Sequence, residues 1–165
     1  MMKYTGTLIA VKDMEKSRQF YHDVLGLEVA TDFGANVTLT GGLVLQTLET
    51  WQSFIHTGDV TLKSNAGELY FETEDMDAFY EHLESFDILY VHKLYEHPWG
   101  QRVVRFYDPD GHIIEAAEKL DAVIACFTAQ GMSPDETADR MVIPLDFVVS
   151  SLNGSKKKLH EMQGG

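Results

Sequence analysis

The sequence predicts an α+β fold, made of two βαβββ modules that form a curled mixed sheet with a cleft, followed by a C-terminal helical extension. Three observations predict it. First, the chain matches itself: GTLIAVKDM at residues 6–14 aligns with ELYFETEDM at 68–76, and GLVLQTLE at 42–49 with GHIIEAAE at 111–118. Two copies of one module are the simplest account of such a match. Second, the apolar period inside each copy switches from helical spacing to the shorter spacing of strands. Third, turn chemistry separates the strand-like runs, most plainly at Asp108-Pro109-Asp110-Gly111, where proline presets a turn φ and glycine supplies a positive one.

Taken in order, the first module spans about residues 3–60. Its opening strand is followed by a helix in which Met14, Ser17, Tyr21, Val24 and Leu25 recur at helical spacing until Gly26 stops it. The runs LEVATDF, NVTLT and LVLQTL then read as strands. The second module, about 66–118, repeats the scheme with Met76, Phe79, Tyr80 and Leu83 as its apolar stripe and ILYVHKLYE, QRVVRFY and HIIEAAE as strands. Together they make a paired domain over 1–119. Beyond it, 120–130 reads as a helix, Ser133-Pro134-Asp135-Glu136 as a capped helix start, and Pro144 as the start of a third helix ending near Asn153-Gly154. The extension is thus 120–155, and 156–165, with Lys156, Lys157 and Lys158, reads as a polar tail. The segment GMSPDETADRMVIPLDFV resembles short helix-turn-helix segments of resolvase-like proteins, but the acidic charge of the chain opposes DNA binding, and the helices are expected instead to cover an exposed sheet or a partner surface.

Charge and composition narrow the function. Twenty-six acids against 13 bases leave a net charge of −13, a field that repels nucleic acid and anionic membranes and favours cationic ligands. No apolar run is long enough to cross a bilayer, and no secretory signal opens the chain, so a cytoplasmic protein is expected. The single cysteine, Cys126, has no internal disulfide partner and reads as a helix-packing residue.

Two βαβββ modules with VKDMEKSRQFYHDVLGLEV early and RFYDPDGHIIE late resemble the vicinal oxygen chelate superfamily, which includes glyoxalases, bleomycin-resistance proteins and extradiol dioxygenases. The resemblance covers residues 3–118 and implies paired modules around a cleft, commonly in a homodimer. In metal-dependent members it implies a ligand on the first and last strand of each module. In this sequence those positions are Gly6 and Gln46, then Glu68 and Glu115. The departure is chemical: glycine has no donor, and both first-strand imidazoles are missing, which disfavours Fe(II), Ni(II) or Zn(II) and makes a ring-cleaving dioxygenase improbable.

Two expectations follow. One is a metal-free small-molecule binder of the bleomycin-resistance kind, taking a cationic or aromatic molecule among Trp51, Phe54, Tyr70, Tyr95, Trp99 and Arg102. The other is a glyoxalase-type lyase, isomerase or epimerase, with a weakly bound Mg, Mn, Ni or Zn ion on Gln46, Glu68 and Glu115, and with Glu68 and Glu115 as the catalytic acids and bases. Without metal, facing Glu68 and Glu115 would share a proton. A neighbouring histidine could substitute as a ligand, since His56, His92 and His97 fall near the cleft in this reading, but no spacing links them and each alone reads as a surface or capping residue; Asp108 and Asp110 read as turn residues.

Overall fold

A computed structural model of the protein describes the backbone of residues 1–163 and the side chains of residues 1–154. The first module runs β1 (Thr7–Val11), α1 (Met14–Leu25), β2 (Val29–Asp32), β3 (Asn36–Leu39) and β4 (Leu43–Thr47). After α2 (Leu48–Ile55), the second runs β5 (Glu68–Thr73), α3 (Met76–Glu84), β6 (Tyr90–Glu96), β7 (Arg102–Tyr107) and β8 (Ile113–Glu118). The strands of the first sheet lie in the order β1-β4-β3-β2 and those of the second in the order β5-β8-β7-β6. This is one permutation used twice, so the sequence repeat is also a repeat of topology. In the first sheet β1 is parallel to β4, while β4-β3 and β3-β2 are antiparallel.

Local chemistry explains the element ends. Asp13 accepts the Lys16 N–H at 3.0 Å to open α1, and Gly26, at φ 68°, closes it by donating its N–H to the His22 carbonyl. Ser17, Tyr21 and Val24 form the buried stripe of that helix. The helix α2 is a finding that the sequence expectation lacked. Its Leu48, Trp51 and Ile55 do carry a helical period, and His56 ends it in the left-handed region at φ 57°. The signal is short and directly continues an apolar strand, which is why it reads as loop.

Three helices follow: α4 (Leu120–Ala129), α5 (Pro134–Met141) and α6 (Leu145–Gln163). The expected capping box is present, with Ser133 N–H donating to Glu136 Oε2 at 2.8 Å and Glu136 N–H to Ser133 Oγ at 3.2 Å. Two expectations need correction. The helix α6 does not stop near Asn153-Gly154 but continues to Gln163; an internal glycine costs a helix only about 1 kcal/mol. Cys126 is exposed rather than packed, because the buried stripe of α4 is carried by Val123 and Ile124. The side chains of Lys156, Lys157 and Lys158 lie outside the described residues, as does the end of the polar tail. No helix among the described residues is long and apolar enough to cross a membrane.

The chain groups into two compact units. One comprises Met1–Leu69, His82–Val91 and Phe106–Ile114; the other comprises Tyr70–Glu81, His92–Arg105 and the chain from Glu115 onward. In the first, Val11, Tyr21, Val37, Leu39, Leu45, Phe106 and Ile114 are almost fully buried. The Asp108–Gly111 turn is fastened into this unit. Asp108 Oδ2 accepts the Tyr21 hydroxyl and His112 Nδ1, each at 2.8 Å, while Oδ1 accepts the N–H groups of Asp110 and His112. Asp110 accepts the Lys12 N–H on both oxygens at 3.2 Å. The two turn acids therefore do more than shape a turn: they bind it to α1 and to the end of β1.

In the second unit, Val123, Ile124, Ala138, Met141 and Val148 form a helical core against which Trp99 and Phe127 pack. The fully buried Thr137 leaves its hydroxyl without a hydrogen-bond partner there. Thr137→Val keeps the shape and removes an unsatisfied buried oxygen. The expected result is a gain of roughly 1 kcal/mol in denaturant unfolding; a loss of stability would show that the hydroxyl is satisfied.

Candidate functional site

The hairpin of β7 and β8 places the first functional pair. The Asp108 N–H donates to the His112 carbonyl at 3.0 Å and closes the turn. Counting outward from that closure sets Arg105 directly across from Glu115, an opposite-charge pair on facing strands. Arg105 Nη2 donates to Glu115 Oε2, and Arg105 Nη1 donates to His92 Nε2 on β6 at 3.2 Å. The Glu115 side chain is only 8% exposed. A carboxylate this deep needs a countercharge, and its neighbour on the next strand supplies one.

The first module repeats the device with neutral groups. Asn36 and Gln46 face each other in the β3-β4 register. Asn36 Nδ2 donates to Gln46 Oε1 at 2.7 Å, and Gln46 Nε2 donates to the Ala35 carbonyl at 2.9 Å. The sequence offset that carries Gln46 onto Glu115 also carries Asn36 onto Arg105. In each module, then, the last-strand position where a metal ligand is expected has its oxygen engaged by a cross-strand donor.

The first-strand positions fare no better as ligands. A Cβ built on Gly6 would lie 2.1 Å from the Gly42 carbonyl oxygen, so close backbone approach excludes any side chain there. Glu68 opens β5 and is exposed. Among the described residues no group of three or more His, Cys, Asp or Glu side chains is placed to hold a metal. The donors on hand do not fit the four-ligand metal centre that the resemblance implies. What Glu115 meets across the hairpin is a guanidinium, that of Arg105. Gly6→Ala is expected to cost about 1–3 kcal/mol through that clash, measured by denaturant unfolding. Gly6→His is expected to lose stability without gaining stoichiometric Zn²⁺ or Ni²⁺ in calorimetry; a stable, metal-loaded variant would contradict this geometry.

An array of rings continues from this pair within the second unit. His92 meets Tyr95 edge-on at 6.2 Å, Tyr95 meets His97 edge-on at 5.3 Å, and His97 stacks on Trp99 at 4.1 Å and 9°. Trp99 Nε1 donates to Gln101 Oε1, and the Tyr70 hydroxyl also meets the Gln101 side chain. Partial burial, then the neighbouring Arg105 guanidinium and His92 ring, hold the His97 imidazole below its usual pKa, which favours its neutral form. Sequence reasoning missed Arg105, and it placed His92 and His97 near the cleft while reading each as a surface or capping residue. The hairpin count from Asp108-Pro109-Asp110-Gly111 could have found Arg105; nothing in sequence spacing points to the two histidines.

Of the residues expected to bind a ligand, Tyr70, Tyr95, Trp99 and Arg102 fall in the second unit, whereas Trp51 and Phe54 lie on α2 in the first. Tyr70 and Tyr95 are about half exposed, with ring surface free for a ligand. Trp99 instead spends its surface on His97 and on the helical core. Arg102 is tied down: it donates to Glu118 at 2.9 and 3.2 Å and to Asp77 at 2.7 Å. Its hydrogen bonds to those two acids raise its pKa further, and they fasten β7 to β8 and α3.

A glyoxalase-like domain model matches residues 4–121. The chain belongs to the glyoxalase-like family. Its two-module topology places this glyoxalase-like protein in the vicinal oxygen chelate superfamily. It is 34% identical to a protein of unknown function from Agrobacterium tumefaciens strain C58, covering 73% of this chain and 96% of that one with a TM-score of 0.65. A glyoxalase/bleomycin resistance protein/dioxygenase superfamily member from Sphaerobacter thermophilus is 26% identical, covering 72% of this chain and 98% of that one, with a TM-score of 0.55. Among curated proteins, the uncharacterized YraH of Bacillus subtilis strain 168 is 27% identical over 128 residues, which is 72% of this chain and all of YraH.

Proposed function

We propose that this glyoxalase-like protein binds a planar aromatic small molecule without a metal ion, beside the Arg105–Glu115 pair and the Tyr95 and Tyr70 rings. One observation carries the reading: Glu115, the most persistent ligand position of the superfamily, is neutralised by Arg105 across the hairpin. The matching Asn36–Gln46 bond in the first module supports it. The Arg105 guanidinium, about a quarter exposed at the base of the array, favours a neutral or anionic aromatic over a cationic one, despite the acidic charge of the whole chain. A half-exposed tyrosine ring offers offset stacking worth about 1 kcal/mol beyond area burial.

The test is a titration with 1-naphthoate and, separately, with the planar cation N-methylquinolinium. Trp99 fluorescence is followed in a Trp51→Phe background, with Tyr95→Ala as the control. Saturation by 1-naphthoate that weakens on Tyr95→Ala is expected, with little response to the cation. The competing reading, a divalent-metal lyase, isomerase or epimerase using Gln46, Glu68 and Glu115, predicts instead a stoichiometric Mn, Ni or Zn after gentle purification. Finding that metal would overturn the metal-free proposal.

A further inference from the structure

The first unit holds a pocket of about 240 Å³ that involves neither Arg105 nor Glu115. Its apolar walls are Ile9 of β1, Leu69 of β5 and Ile113 of β8, and its polar lining includes His112 together with Thr61, Lys63, Asn65 and Glu68 of the segment joining the modules and the start of β5. The joining segment is fastened: the Tyr107 hydroxyl donates to Asn65 Oδ1 at 3.0 Å, and the Lys63 ammonium lies 4.5 Å from the Tyr107 ring centre. The pocket is therefore preformed. Its volume lies just below the roughly 300–1,000 Å³ of pockets for drug-sized ligands and suits a molecule of one ring.

The chemistry of the pocket is set by His112. The Asp108 carboxylate that holds it is fully buried and already accepts the Tyr21 hydroxyl and two backbone N–H groups. An ionised carboxylate only accepts, so the His112 Nδ1 that meets it at 2.8 Å must carry the proton. In the neutral imidazole this fixes the tautomer and leaves Nε2 as a lone-pair acceptor. No described hydrogen bond uses that nitrogen. The arrangement is a buried acid that orients an imidazole at the wall of a cavity with apolar sides.

We propose that this pocket binds a small, largely apolar molecule bearing a hydroxyl group, whose O–H donates to His112 Nε2. The apolar walls supply affinity, and the oriented imidazole selects the hydroxyl over an isosteric methyl. Asp108 and Tyr21 act as positioning residues, holding the ring without touching the ligand.

The test uses the full chain and two probes of equal shape, p-cresol and p-xylene, which differ by one hydroxyl. Binding is read by NMR from ligand saturation transfer and from the ¹⁵N resonances of the His112 ring. The expected result is p-cresol binding about five- to tenfold tighter than p-xylene, the worth of one hydrogen bond, with a shift confined to His112 Nε2. His112→Phe should abolish the preference. Because His112 is part of the turn network, a second variant, Thr61→Trp, should block binding by filling the pocket while leaving Asp108 and His112 untouched. Equal affinities, an unmoved Nε2 resonance, persistence of binding in Thr61→Trp, or no binding of p-cresol at 10 mM would each overturn the proposal. Arg105→Met should leave the p-cresol response intact, so failure here and failure of the Arg105–Glu115 reading are separately visible.

Discussion

Asp108→Ala is expected to lower the stability of the protein by about 3 kcal/mol, which for a chain of this size is roughly 6–12 °C in melting temperature. The substitution strips the buried Tyr21 hydroxyl, His112 Nδ1 and two backbone N–H groups of their common acceptor at once. Unsatisfied buried donors cost their full desolvation. Burial raises the Asp108 pKa, but the hydrogen bonds and charge of His112, with the bond from Tyr21, outweigh it and leave it below the usual carboxylate value. A depressed folded pKa contributes stability above the unfolded value, and that contribution is lost as pH falls through the folded value. The difference between the parent protein and Asp108→Asn should therefore shrink on acidification below the carboxylate range.

Asp110 works the other way. Burial, with the charge of Asp108, raises its pKa against the opposing Lys12 N–H bonds. Its protonated form is favoured by folding, so its contribution is present at low pH and lost as pH rises through the raised value. Asp110→Asn should thus cost less at neutral pH than Asp108→Asn. Urea unfolding of both variants between pH 3 and 7 measures this, and parallel pH profiles for the two would refute the assigned roles.

Arg105→Met carries the second large effect. It leaves Glu115, 8% exposed, without its guanidinium, and removing one partner of a buried ion pair typically costs about 3–5 kcal/mol. About a quarter of the Arg105 side chain is exposed, so the lower end of that range is expected. Glu115→Gln in the same chain should recover much of the loss, because the amide needs no countercharge. A double-mutant cycle by denaturant unfolding should give a coupling of about 2 kcal/mol between the two positions. A coupling below about 0.5 kcal/mol would mean that Glu115 is satisfied elsewhere, and the metal-free reading would lose its main support. In the binding assay the same substitution should remove the preference for 1-naphthoate over the cation.

Local sequence signals sufficed wherever an element is stabilised by its own neighbours. Asp13 and Gly26 bound α1, Ser133 and Glu136 cap α5, and the Asp108–Gly111 turn joins β7 to β8, each through contacts within a few residues. These are short-range rules that single-chain reading applies directly. The repeat then supplied the topology, since a chain that copies its pattern copies its strand order. The failures have the same logic in reverse. The helix α2 was masked by the strand before it, and α6 overrode a glycine that would stop a weaker helix.

What the sequence by itself determined was the pair of modules, the family and the positions where metal ligands would stand. Only the tertiary structure decided what those positions do. Gly6 is empty because Gly42 approaches it, Gln46 is held by Asn36, and Glu115 is held by Arg105. Likewise Trp99 and Arg102, candidates by residue type, are spent on packing and on ion pairs, and His112, an ordinary strand residue in sequence, is oriented by Asp108 at the wall of a pocket. The physical reason is that ligand type is written in one residue, whereas its availability depends on which donors the fold brings within hydrogen-bond reach. Those donors come from other strands and from a helix nearly ninety residues away, as Tyr21 does to Asp108.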